Sequence, residues 1–221
     1  WSKNSATFNA RSFAFMAQKY KVYFANRPVV FIGDSDDPVL SMGDHLIVSR
    51  GMVDTMLVER ACNSGAKVIY LRCSDIEKSW SDFSSQFHLI RAAGGVVLND
   101  RNEVLFIYRL DKWDLPKGKV EKNEELDLAA LREVEEECSI GNLIIERHLA
   151  TTYHTYALKG EQVLKSTDWF IMKHAGNESP QPQTIEGITD ARWIAPSDWS
   201  MVESNTFPSV LDVLRAFEGS K

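Results

Sequence analysis

Apolar and polar positions keep a short, strand-like period through the first third of the chain, broken by two helical patterns. Residues 21–34, KVYFANRPVVFIGD, form two β-rich runs interrupted at Asn26-Arg27-Pro28. A short apolar run follows at His45–Val48. Met52, Met56, Leu57 and Val58 then supply one apolar side of a helix over Met52–Cys62, ended by Asn63-Ser64-Gly65. Lys67–Arg72 reads as a buried strand. Asp75–Phe83 reads as a second helix, with Ser74 as N-cap and Trp80 and Phe83 inward. The predicted order is β, β, β, α, β, α, a small α/β unit over residues 16–86. Asp34, Asp36 and Asp37 in GDSDDP are expected to make a turn rather than a ligand set. This unit has no glycine-rich phosphate loop, and its expected role is binding or dimerisation, so a homodimer is one expectation. Residues 1–15 have no clear period and read as a tail, and Met16 is a candidate native start.

From Phe87 the pattern changes. His88–Asn99 is a strand containing Gly94-Gly95, which suggests a bulge or the close approach of another backbone. A turn at Asn99–Asn102 returns it as Glu103–Arg109. Asn142–Leu158 and Gln162–His174 read as two long antiparallel strands joined at Lys159-Gly160-Glu161. Asn177–Gln183 is a polar loop, Asp190–Ile194 a short strand, Pro196–Met201 a turn or short helix, and Pro208–Phe217 an amphipathic helix. The expected division is a tail at 1–15, a first unit at 16–86 and a second at 87–221.

Composition narrows the choices. Hydrophobic residues make up 44 % and charged residues 25 % of the 221, ordinary for a chain that buries a core. The net charge is −6, and residues 118–137 alone hold eight acids and three bases. An acidic balance argues against an extended nucleic-acid groove but not against a short nucleotide held near metal ions. Three cysteines, with no C-x-x-C pair, point away from a disulfide framework and toward a reducing cytoplasm. No apolar run reaches the ~18 residues of a membrane span.

Candidate chemistry concentrates in Trp113–Gly141, WDLPKGKVEKNEELDLAALREVEEECSIG. A helix over Glu124–Cys138, with Asn123 as N-cap, places Glu133, Glu136 and Glu137 on one face at i, i+3 and i+4. Ala129 leaves that face open, while Ala130, Leu131, Val134 and Cys138 form a packing stripe. Such a run is either a solvated acidic face or a cation site, since three acids in one turn repel one another. An all-oxygen set suits Mg²⁺ or Mn²⁺ rather than zinc.

The whole stretch resembles the Nudix hydrolase box, G-x5-E-x7-R-E-U-x-E-E-x-G-U with U apolar. Gly118, Glu124, Arg132-Glu133-Val134, Glu136, Glu137 and Ile140 fall at its spacing, and Ser139 stands where the family has Gly. That resemblance implies an α/β/α sandwich around a mixed sheet. It also implies metal-dependent hydrolysis of a nucleoside diphosphate linked to another group. On that analogy Glu136 and Glu137 are the main metal ligands, and Glu133 is a third ligand or the general base. A backbone carbonyl near Lys117 and Gly118 adds an oxygen, and Glu124 and Arg132 form a structural ion pair. Glu186, seven residues before Trp193, is either a further ligand or base or a surface acid; Glu178 is a weaker alternative. Lys117 and Lys119 are either phosphate contacts or exposed loop lysines. Tyr153, His154 and Tyr156 are either substrate contacts or strand core. Dinucleoside polyphosphates, diphosphoinositol phosphates, capped RNA ends and nucleoside triphosphates are the substrates to weigh. The competing class is a non-catalytic nucleotide sensor on the same fold.

Overall fold

The computed structural model describes residues 20–24, 26–36, 45–49 and 55–220. The tail, Met16, Asp37 and the start of the predicted helix at Met52 lie outside the described residues. The first unit has the expected order: β1 (Lys21–Phe24), β2 (Arg27–Gly33), β3 (His45–Ser49), α1 (Thr55–Cys62), β4 (Val68–Cys73) and α2 (Ile76–Ser84). Asp75 rather than Ser74 caps α2, its carboxylate accepting from the Lys78 N–H at 2.9 Å. Asp36 accepts from the Gly33 N–H, closing a turn, and Arg72 donates to the carbonyls of Gly33 and Asp34.

The remainder supplies β5 (His88–Leu98), β6 (Val104–Arg109), β7 (Lys112–Asp114), β8 (Lys117–Lys119) and α3 (Leu126–Cys138). It continues with β9 (Leu143–Leu158), β10 (Glu161–His174), β11 (Ile188–Ile194), α4 (Trp199–Glu203) and α5 (Pro208–Glu218). Strands alternate their side chains between faces, and two cores follow from that alternation. Val96, Phe106, Trp169 and Ile171 pack with α4 and α5. Their neighbours Val97, Leu105, Ile107, Phe170 and Met172 pack with α3. The result is the expected α/β/α sandwich around a mixed sheet.

One sheet runs through both units, in the order β11-β6-β5-β10-β9-β1-β2-β4-β3, with β7 paired to β6 and β8 to β5. The junction is a short parallel pairing, Val22 to Phe24 against Tyr153 to Thr155. A third core, with Val22, Phe31, Ile69, Leu71 and Phe83, reaches across it to Leu164 and Tyr153. On the other side Tyr23 donates its hydroxyl to Asp212 of α5, which also pairs with Lys21 at 2.7 Å.

The helix carrying the acids starts later than the sequence suggests. Asn123 has φ 66 and lies outside α3; Glu125 takes the N-cap position without a side-chain cap bond. The cause is Glu124, which is drawn to the Glu121 N–H and to Arg132 and so belongs to the loop. At the far end Ser139 itself adopts the left-handed conformation, φ 53, and its N–H bonds the Glu135 carbonyl. It fills the terminator role usually given to glycine.

Candidate active site

Helix α3 presents its acids to the β8 loop. Residues 133, 136 and 137 recur at helical spacing, and the apolar stripe Ala130, Val134 and Cys138 fixes which way they turn. Gly118 makes the contact possible: a Cβ there would collide with the Glu133 carboxylate. Gly94 serves the same close packing, since a side chain on it would meet the Pro116 carbonyl and Lys117. The Gly95 N–H donates to that carbonyl at 3.1 Å.

Arg132 organises the outer part of the site. Its guanidinium forks onto Glu124 at 2.8 and 2.9 Å and donates to the Lys119 carbonyl at 3.0 Å. The remaining nitrogen bridges Glu133 at 2.9 Å and Glu136 at 3.2 Å. A planar fork can hold several carboxylates at once, which one ammonium does less well. The Arg132 and Glu121 donors hold the Glu124 carboxyl down at about 2. Glu136 is exposed, whereas Glu133 is buried.

Glu137 lies deeper, fully buried, taking the Lys117 N–H at 2.8 Å and the Arg109 guanidinium at 3.4 Å. Burial pushes its carboxyl up to about 7, against the pull of Lys117 and Arg109. Burial also raises Glu133; Arg132 opposes this, and the nearby charges of Glu136 and Glu186 add to it. Glu186 is exposed on a short 3-10 turn, Thr184–Glu186. Two bonds tether its loop to the end of α3: Gln181 N–H to the Cys138 carbonyl at 2.8 Å, and Gln183 N–H to the Glu137 carbonyl at 3.0 Å. Glu178 is elsewhere, beside His174 and Asn142.

The cation candidates separate. Lys117 is drawn inward, its ammonium 2.6 Å from Asp114, while Lys119 is exposed. Tyr153 and His154 are consecutive on β9, so they face opposite sides of the sheet. Tyr153 joins the aromatic cluster of the first unit, 4.6 Å from Trp80. His154 sits across the ladder from Lys165 and is lowered by burial and by that lysine. Three further residues belong to this surround: Arg109, Asp114 and Lys165. Burial brings the Lys165 ammonium down to about 8, in the field of Lys117, Asp114, Arg109 and Glu137. A lysine placed between Leu164 and Ser166 in an otherwise well-buried strand is the signal that marks it.

The donor set is hard oxygen throughout, gathered on one turn against a glycine, and this chemistry fits Mg²⁺ or Mn²⁺. Among the described residues no three His, Cys, Asp or Glu side chains form a ready-made cage. Arg132 holds two of the acids, and Arg109 with the Lys117 N–H holds the third. Among the described residues no helix is long and apolar enough to cross a membrane. The three cysteines are free thiols.

The NUDIX domain model matches residues 88–212, more than half of the chain. An RNA pyrophosphohydrolase of Pelagibacter ubique is 33% identical over 111 residues, covering 45% of this chain and 70% of that protein. A protein described as a MutT4 mutator of Mycobacterium tuberculosis is 26% identical over 138 residues, and the chain spans 54% of its length. Among solved structures, a C. elegans Ap4A hydrolase complex is 25% identical with a TM-score of 0.47. That match covers 59% of this chain and 96% of the other.

Proposed function

This chain belongs to the NUDIX family and is a pyrophosphohydrolase by that membership; on that premise we propose that it cleaves a pyrophosphate bond in a nucleoside diphosphate linked to another group. We assign catalysis to residues 87–221 and recognition to residues 16–86. The observation that carries the reading is the gathering of Glu133, Glu136 and Glu137 on one helical turn against Gly118.

Water must reach phosphorus through a shell of negative oxygens, and the departing phosphate must leave with additional charge. A divalent ion, when bound, neutralises part of that charge and makes bound water more acidic. Glu136, Glu137 and Glu133, with a backbone oxygen near Lys117 and Gly118, are the groups that would hold Mg²⁺ or Mn²⁺. Glu133 combines burial with a raised proton affinity, which suits a base taking a proton from water. Glu186 is the second acceptor within its field. Arg132 keeps Glu133 from turning away, and its fork on Glu124 ties the loop to the helix. Lys117, Lys119 and His154 are the proposed phosphate contacts; Tyr153, on the other side of β9, packs against Trp80 instead. The intact acids favour hydrolysis over nucleotide sensing.

The test is a substrate panel with Mg²⁺ or Mn²⁺: nucleoside triphosphates, dinucleoside polyphosphates, diphosphoinositols and 5′-triphosphorylated or capped RNA, scored for products. Turnover should vanish with chelator and return with either ion. A folded protein that releases no product from any of them would defeat the proposal.

A further inference from the structure

Ile185 and Leu110 are the most exposed large apolar side chains among the described residues, at 94 % and 76 %. Both stand at the rim of the candidate active site. Ile185 precedes Glu186, whose charge acts on Glu133. Leu110 follows Arg109, whose guanidinium reaches Glu137 at 3.4 Å. Arg109 pairs with Ile188 in the β6–β11 ladder, so the turns just beyond them, at residues 110–111 and 184–187, share one end of the sheet.

Folding does not ask for either side chain. Arg109 also pairs with Lys112, leaving a two-residue hairpin turn in which Leu110 and Asp111 have φ 52 and 57. Positive φ at both positions is the type I′ turn, which favours Asn-Gly and disfavours a bulky residue. Leucine therefore raises the energy of this turn and gains almost no burial there. The turn is nonetheless fixed: Asn205 donates its amide to the Asp111 carbonyl at 2.9 Å, and its own carbonyl accepts the Trp113 N–H at 2.9 Å. The Ile185 turn is fixed too, by the Gly187 N–H on the Thr184 carbonyl at 3.0 Å and by the bonds of Gln181 and Gln183 to the end of α3. Two firm turns thus hold apolar groups in water beside an acid-lined site, a surface already organised for an apolar ligand.

We propose that Leu110 and Ile185 are the resting surface for the substrate's nucleobase, with the phosphates running from it past Arg109 to the acids of α3. The proposal rests on the hydrolase reading above and narrows its substrate. A nucleobase has flat, weakly solvated faces that gain from apolar contact. A diphosphoinositol phosphate carries anionic groups all around its ring and gains nothing on such a surface. Substrates with a base close to the cleaved bond are therefore favoured over diphosphoinositols.

Calorimetric titration of the full chain with Mg²⁺ tests this without turnover. It compares hydrolysis-resistant α,β-methylene ATP and GTP with inorganic tripolyphosphate, which offers the phosphates without a base. The tighter-binding analogue should exceed tripolyphosphate in affinity by about tenfold or more. Leu110→Asn and Ile185→Ser should each weaken that analogue about fivefold, and together about twentyfold, with tripolyphosphate unchanged. Both positions are exposed and Asn suits a left-handed turn, so the melting temperature should hold. No analogue binding at millimolar concentration, tripolyphosphate binding as tightly as the analogues, or an affinity that the double variant leaves unchanged would overturn the proposal. A chain that binds the analogue as expected but hydrolyses nothing in the substrate panel would defeat the hydrolase reading and leave the base contact standing.

Discussion

The surroundings of Phe83 and those of Glu137 are both buried, yet they are built from opposite materials. Phe83 meets Phe24, Phe31, Trp80 and Phe87 in a cluster of rings. Glu137 meets Arg109 and the Lys117 backbone, with Asp114 and Lys165 in its field. The ring cluster gains stability with every contact it makes. The charged group does not: replacing a buried ion pair whole by apolar side chains of similar size is often neutral or stabilising. A fold that keeps so much charge indoors does so for chemistry, and the two regions should therefore respond oppositely to substitution.

The widest separation is expected at the two centres. Glu137→Gln should lower turnover about a hundredfold or more, since metal-ion stabilisation of transition-state charge is worth several kcal/mol. Its melting temperature should hold or rise. Initial rates and thermal unfolding on the same preparation decide this; a variant that loses stability along with activity would erase the contrast. Phe83→Ala should do the reverse. It should cost about 3–5 kcal/mol in denaturant unfolding and leave the rate per folded molecule unchanged.

Lys165 sharpens the comparison through pH. Its folded value, about 8, lies below that of a free lysine, 10.5. Between those values the unfolded chain holds more protons, so this group makes stability rise with pH across that window. Below the window it is a standing cost. Lys165→Met should therefore be more stable than the natural protein at pH 7, with the difference shrinking between pH 8 and 10.5. Melting temperatures of both proteins across that range provide the check. The smallest effect should come from Ser139→Gly, which relieves a left-handed residue and should add about 1 kcal/mol.

The ring-lined half was legible from its sequence because its signals are local. Alternating apolar residues in KVYFANRPVVFIGD and VIYLRC, and helical spacing up to Phe83, need no knowledge of distant neighbours. The acids of α3 were legible for the same reason, since their spacing lies within one turn. What escaped depends on partners far along the chain. The helix start shifted because Arg132 draws Glu124 into the loop. The continuity of the sheet rests on a parallel pairing of Val22–Phe24 with Tyr153–Thr155, which leaves no turn in the sequence to announce it. Lys165 and Arg109 look like ordinary strand charges until the fold sets them near Glu137. The opposite facing of Tyr153 and His154, by contrast, follows from strand period alone.

The pairing of Tyr23 with Asp212 sets a schedule for the molecule's birth. A polypeptide leaves the ribosome from its amino end, so the first strand emerges long before β9, its neighbour, and α5, its clasp, have been made. Closing so long a loop is slow, and until then the early strand has an unsatisfied edge. Maturation of that edge should thus wait for α5, whose Asp212 acts as the latch on the early strand.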